Sequence, residues 1–248
     1  MLGIVDLTVS IEGVRVLRNV GFELQDGKTT ILIGRNGAGK TTTLRAIMGL
    51  VACDSGTIWL DGEHLEALPG YQRARLGIGY APEDRRLIPD MSVEENMRLP
   101  MLALNLPKRE TTDRLDEIYA MLPELHVMRA RAAGSISGGQ GKMVALGRAL
   151  TVARKVLLLD EPFQGLAPAL ALEYARTLGQ LRKHRPDLAI LITESTPALL
   201  DRIADRTLQI ERGEITDSSN HEVQTCISSS TVARETETIV SGSKSMRS

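Results

Sequence analysis

The sequence is poor in the residues that several large function classes require. Two cysteines, Cys53 and Cys226, give no material for a disulfide framework or a zinc site. They are expected to be structural thiols. The four histidines, His64, His126, His184 and His221, stand apart in polar contexts without the spacing of metal ligands. Phe, Trp and Tyr make up 3% of the chain, too little to build stacking platforms for single-stranded nucleic acid. Neither sign of charge is in excess: 30 Lys plus Arg against 31 Asp plus Glu leave a formal charge of −1. That argues against a dedicated nucleic-acid binder, whose affinity needs a clear basic surplus. No apolar run approaches the roughly 20 residues that cross a bilayer. Residues 1–6 show no basic region ahead of an apolar stretch, so a cytoplasmic chain is expected.

What is present suits one large α/β domain or two small ones: 248 residues, 42% apolar and 25% charged. Residues 4–10, 14–17 and 21–24 read as short antiparallel strands separated by Gly and charged turns. Three runs, 29–33, 156–159 and 188–192, have no polar face and suit strands covered on both sides. The helix-like composition of residues 170–183 between the last two predicts a parallel sheet. Residues 40–49 fit a helix closed by Gly49, residues 56–60 a strand, and residues 208–210 and 214–216 a terminal hairpin. The stretch from about 92 to 131 looks like a helical insertion. Residues 217–248 hold 9 serines and 4 threonines with few large apolar side chains, and a largely disordered tail is expected there.

Three short strings carry chemistry. Gly34-Arg35-Asn36-Gly37-Ala38-Gly39-Lys40-Thr41 matches G-x-x-x-x-G-K-[ST] between a buried strand and a helix. Its glycines let backbone N–H groups surround phosphate oxygens, and the helix N-terminus adds its positive end. Lys40 would reach the β- and γ-phosphates, and the Thr41 hydroxyl would hold Mg²⁺. Asp160-Glu161 ends an apolar strand, where ligands of open α/β sheets bind. Asp160 would hold Mg²⁺ and Glu161 would orient or deprotonate the attacking water; alone, such a pair is also an ordinary strand exit. Ser137-Gly138-Gly139-Gln140 has capping-box spacing ahead of residues 143–150. It reads either as a plain cap or as a second anion clamp, since two glycines in the first turn cost helix stability unless something approaches the backbone.

Together GRNGAGKT, ISGGQ and LLLDEP, in this order, closely resemble the nucleotide-binding subunit of ABC transporters over residues 1 to about 216. The strings APEDRRLIPDMSVEEN at 81–96 and DEPFQGLAP at 160–168 look like its branched-chain amino acid uptake branch, the LivF type. Urea and short-amide systems are near relatives. The resemblance implies a P-loop NTPase core with a mixed, mainly parallel sheet, an N-terminal antiparallel β-subdomain and an inserted helical subdomain at about 84–150. It implies ATP held by Gly34, Asn36, Gly37, Ala38, Gly39, Lys40, Thr41, Thr42 and Glu83, with Mg²⁺ on Thr41, Asp160 and Glu83. Two domains would bind head to tail, so that Ser137, Gly138, Gly139 and Gln140 of one face the γ-phosphate of the other. Glu161, Lys40 and Ser195 are the expected catalytic groups.

The chain departs from the family pattern at several points. Glu83 replaces the usual loop glutamine. Ile11-Glu12-Gly13 stands where many members place a ring against adenine, which leaves Val16 or Ile11 to pack the base. Ser195 stands where a histidine usually contacts the γ-phosphate, with less reach and no cationic form. Gly141-Lys142 and Phe163-Gln164 are also unusual, through tuning of the partner interface or neutral drift.

The function so implied is an ATP-hydrolysing subunit of an uptake transporter for branched-chain amino acids or a related small polar solute. Its partners would be membrane-spanning permease subunits, a second ATP-binding subunit and, indirectly, a solute-binding protein, with no nucleic acid. It would sit on the inner face of the cell membrane through the permease. The alternative is a nucleotide-gated clamp with weak hydrolysis of its own, paired with a more active ATPase.

Overall fold

A computed structural model describes residues 1–196 and 203–217. By its internal contacts the chain divides into Met1–Thr216 and Asp217–Ser248. The second unit lies outside the described residues apart from Asp217, and so does the disorder expected of it.

The chain opens with β1 (Leu2–Ile11) and β2 (Val14–Leu24), then β3 (Thr29–Ile33), α1 (Lys40–Ile47), β4 (Ser55–Leu60), β5 (Glu63–His64), α2 (Gly70–Arg75) and β6 (Ile78–Ala81). Four helices follow: α3 (Val93–Ala103), α4 (Lys108–Met121), α5 (Pro123–Met128) and α6 (Gly138–Leu150). The chain then returns through β7 (Val156–Asp160), α7 (Pro168–His184), β8 (Ala189–Glu194), β9 (Arg206–Glu211) and β10 (Glu214–Asp217). The strands form a four-stranded sheet in the order β2-β1-β4-β5 and a six-stranded sheet in the order β10-β9-β3-β8-β7-β6. Pairs in the first are antiparallel, whereas β3, β6, β7, β8 and β9 run parallel.

The second strand differs from its sequence reading. Residues 14–24 form one continuous β2 instead of two segments, because the polar break at Arg18-Asn19 is absorbed in place. Asn19 on β2 and Asp6 on β1 take left-handed backbone (φ 48° and 50°), which Asn and Asp tolerate, and the β1–β2 register shifts twice between Ile4 and Val9.

The three apolar runs are central strands, and their alternate residues feed two separate cores. Ile31, Leu157, Leu159, Ile190 and Ile192 join the apolar faces of α3 to α7, including Met97, Leu115, Leu125, Leu146 and Leu178. Leu32, Val156, Leu158, Ala189 and Leu191 join α1 and the antiparallel sheet through Leu44, Ile47, Leu7, Leu17 and Ile58. With both faces covered, the carboxyl ends of β3, β7 and β8 are fixed side by side, and the charged residues collect at those ends.

Candidate functional site

The loop after β3 is built for close approach of an anion. Gly39, the residue before α1, has φ 114°, and a Cβ there would lie 2.7 Å from Leu17 Cδ2, so only glycine fits. The first turn of α1 contains no acidic residue, and no side chain caps it. Its amides therefore face outward unpaired by side chains, with the positive end of the helix dipole behind them. The loop is braced from β8 and from the β9–β10 turn: Gly34 N–H donates to Glu194 O of β8 (3.2 Å), and Gly213 N–H to Ala38 O (3.0 Å).

Lys40 is 4% exposed and sits at the centre of this end of the sheet. Its ammonium donates to Gly34 O (2.7 Å), Arg35 O (3.2 Å) and Ser195 Oγ (3.1 Å), and it pairs with Glu161 Oε1 at 2.9 Å. The Ser195 hydroxyl also lies 2.9 Å from both Glu161 Oε1 and Asn36 Oδ1. Lys40, Glu161, Ser195 and Asn36 thus converge on one point although they span 160 positions of sequence. Thr42 follows in the first turn of α1, half-buried.

Asp160 ends β7 and is buried. It accepts hydrogen bonds from Thr41 Oγ1 (3.0 Å) and Thr193 Oγ1 (2.8 Å) on Oδ1, and from Tyr80 OH (3.1 Å) on Oδ2. Burial pushes its carboxyl above the usual range, and the three hydroxyls oppose that shift. Burial, followed by the charge of Asp160, likewise raises the Tyr80 phenol. Glu161 stands in left-handed backbone (φ 43°), and its N–H donates to Thr193 O (3.1 Å). A non-glycine residue persists there only where its surroundings fix it, a pattern found at functional sites.

Thr41, Asp160 and Glu83 line one cavity of about 230 Å³ together with Tyr80. Glu83 is exposed, and its carboxyl is raised by partial burial, then by the charges of Glu161 and Asp160. Among the described residues no group of three or more His, Cys, Asp or Glu is placed to hold a metal by itself. A hydroxyl beside one carboxylate nevertheless fits Mg²⁺, a hard ion that takes few protein oxygens and completes its shell with waters and substrate phosphates. A second cavity, of about 600 Å³, lies along Gly34 to Ala38 and is walled by Ser195 and residues 209–212.

Ser137 caps α6 with both halves of the capping box: Ser137 Oγ accepts from Gln140 N–H (3.2 Å), and Gln140 Oε1 from Ser137 N–H (3.0 Å). The close approach expected at its glycines is supplied for Gly139 by α7, since a Cβ there would lie 2.7 Å from Leu170 Cδ1. Gly138 is open apart from Arg85, whose Nη1 donates to its carbonyl (3.4 Å). Ser137 and Gly138 are exposed, and among the described residues no hydrogen bond or ion pair links residues 137–140 to the phosphate loop of the same chain. At the turn between β1 and β2, Ile11 is partly exposed and Glu12 takes φ 49°; Val16, half-buried, has its carbonyl 3.5 Å from a Cβ built on Gly39.

Two contributors, Tyr80 and Thr193, escaped the sequence reading, and a third, Lys142, stood out in it only as a departure at the partner interface or neutral drift. Thr193 left a signal, being the first polar residue after the apolar run 188–192, and the fold puts it in direct register with Asp160. Tyr80 lies on β6, the other neighbour of β7. Lys142 donates to Glu161 O, so it turns inward onto its own chain.

Residues 17–164 match the family model described as ABC transporter. The chain is 36% identical over 202 residues to the high-affinity branched-chain amino acid transport ATP-binding protein BraG of Pseudomonas aeruginosa, covering 82% of this chain and 85% of that protein. It is 34% identical over 217 residues to a probable branched-chain amino acid transport ATP-binding protein, LivF, of Archaeoglobus fulgidus (87% and 90% covered). It is also 34% identical over 200 residues to the lipopolysaccharide export system ATP-binding protein LptB of Acidithiobacillus ferridurans (81% and 82%). Among solved structures, an ATP-binding subunit of an ABC transporter superposes with a TM-score of 0.77 at 27% identity over 91% of this chain and 93% of that one. A phosphate loop on β3, an acidic pair on β7 and a serine-capped glycine helix start, on a fold shared with these proteins, make this chain an ATP-hydrolysing, ATP-binding subunit of the ABC transporter family.

Proposed function

We propose that the chain powers an uptake transporter for branched-chain amino acids or a related small polar solute such as urea or a short amide. The 81–96 and 160–168 strings and the likeness to BraG and LivF support this cargo class, and the comparable likeness to LptB is the reason to test it. The domain of residues 1–216 would work in a head-to-tail pair on the inner face of the membrane, bound to permease subunits through the loop after β6 and the helices α3 to α6. Among the described residues no helix is long and apolar enough to cross a membrane.

The observation that carries the enzymatic reading is the convergence of Lys40, Glu161 and Ser195 within 3.1 Å of one another at the carboxyl ends of β3, β7 and β8. The amides of residues 37–41 would bind the β- and γ-phosphates. Thr41 and Asp160, with Glu83 nearby, would hold Mg²⁺, which when bound neutralises phosphate charge. A phosphate in the loop competes with Glu161 for the Lys40 ammonium, and exchange of that ion pair frees the Glu161 carboxylate. Glu161 then takes a proton from the water that attacks the γ-phosphorus, as the bond to the ADP oxygen breaks. Ser195 would orient that water or the γ-phosphate by hydrogen bonding, and Ser137 to Gln140 of the opposing domain would close over the phosphate. Co-purification of the tagged chain from membranes tests the assembly. A permease subunit in the eluate is the expected result, with stimulation of ATP hydrolysis by a branched-chain amino acid and its binding protein; an eluate stimulated by a different solute contradicts the cargo assignment.

A further inference from the structure

The helix that starts at Ser137 does more than present its first turn. Lys142 lies one turn into α6, half-buried, and its ammonium donates to the backbone carbonyl of Glu161. Burial lowers the pKa of its ammonium, and the carboxylates of Glu194, Glu83 and Glu161 offset part of that shift. The other polar group of the Glu161 backbone, its N–H, is held by Thr193 on β8. Glu161 is therefore clamped at both ends of its peptide frame while it stands in a left-handed conformation that is unfavourable for a residue with a Cβ. One clamp is a rigid strand, and the other is a single side chain from α6.

The same helix is fixed to the loop after β6. A Cβ at Gly141 would lie 3.0 Å from Arg85 Nη1 and 3.1 Å from Arg85 Cδ, so the missing side chain makes room for Arg85 against the first turn. Arg148 donates to Arg86 O (2.6 Å) and to Arg85 O, and both of these residues have positive φ (49° and 62°). Lys142 is thus carried on a helix braced at two further points, and its reach to Glu161 is set by the position of α6.

We infer that Lys142 is a positioning residue for ATP hydrolysis, holding the Glu161 carbonyl so that the carboxylate faces the γ-phosphate and making that alignment depend on where α6 lies. The inference rests on the reading of Glu161 as the base. It gives Gly141-Lys142 an intrachain role: glycine for the passage of Arg85, lysine for the tie to Glu161. Because α6 begins at the residues that would close over the opposing nucleotide, movement of that helix on pairing would be passed through Lys142 to the base of its own site.

The test measures steady-state Mg-ATP hydrolysis by the full chain as wild type, Glu161→Gln, Lys142→Met and Lys142→Arg, with thermal melting of each. Misplacing a catalytic group by about 1 Å costs roughly 100-fold, so Lys142→Met should lower kcat by about 10- to 100-fold with KM for ATP nearly unchanged. Lys142→Arg, which keeps a charged donor, should restore most of the rate. If methionine unfolds the domain, Lys142→Gln replaces it, with a shorter uncharged donor and the same expected loss of kcat. Wild-type kcat in a folded Lys142→Met or Lys142→Gln overturns the inference, as does a loss confined to KM or an Arg variant no better than Met. Failure of the underlying reading looks different: Glu161→Gln then hydrolyses ATP as fast as wild type.

Discussion

Replacing Thr193 with valine removes one hydroxyl and almost no volume, and it separates the support of the acidic pair from its chemistry. Thr193 is fully buried, donates to Asp160 Oδ1 at 2.8 Å and lies 3.2 Å from the Glu161 N–H. Hydrogen bonds to charged groups contribute about 1.5–3 kcal/mol. Asp160 keeps Thr41 and Tyr80, and the Glu161 N–H keeps the Thr193 carbonyl, so neither group is orphaned. The loss should therefore be about 2 kcal/mol, or about 4–8 °C in melting temperature for a domain of this size. The carboxylate that would bind Mg²⁺ also loses one of the three donors that orient it. The Mg²⁺ concentration giving half-maximal ATP hydrolysis should consequently rise, while ATP binding without metal stays unchanged. Differential scanning fluorimetry and a Mg²⁺ titration of the hydrolysis rate check both parts. A variant that melts with the wild type and needs no additional Mg²⁺ would refute the assignment of Thr193 as the hydroxyl that sets Asp160.

A pH prediction follows from Glu194. Burial pushes its carboxyl up to about 7, the Glu161 charge adds to the shift, and the hydrogen bond from Phe163 N–H opposes it. An acid whose folded pKa is raised contributes stability that is complete below its ordinary value of 4.5 and is lost as pH rises through about 7. Glu194→Gln is neutral at every pH and keeps an oxygen for Phe163 N–H. It should melt above the wild type at pH 8 by the equivalent of up to about 3 kcal/mol, with the difference vanishing near pH 4.5; equal melting curves across that range would contradict the assignment.

The parts of the site that lie close together in sequence were legible, because their chemistry demands particular residues at particular spacing. The phosphate loop needs glycine at Gly39 for backbone reasons and lysine at the next position for charge, and both can be read without a fold. The three apolar runs were legible as central strands because burial on both faces favours an unbroken run of apolar and β-branched side chains, the buried Thr29 and Thr30 included. What sequence did not reveal arrives through tertiary contact. Tyr80 meets Asp160 from 80 positions away, and Lys142 meets Glu161 across 19 residues by way of a helix. The glycine pair after Ser137 illustrates a partial inference: the close approach was expected, but for Gly139 its occupant is Leu170 of the same chain. The broken reading of β2 has a similar origin, since left-handed Asp6 and Asn19 accommodate bulges that a strict period of two cannot.

The central claim is that Glu161 acts as the base in a nucleotide sandwiched between two copies of the domain or between this domain and a close relative. The most direct measurement is steady-state Mg-ATP hydrolysis by the purified chain beside Glu161→Gln, with size-exclusion chromatography of both in ATP. Turnover by the wild type is expected, with a loss of at least about 100-fold in Glu161→Gln and accumulation of the variant as an ATP-dependent dimer. Turnover that survives the substitution, or a variant that binds ATP and stays monomeric without any paired subunit able to capture it, would contradict the claim.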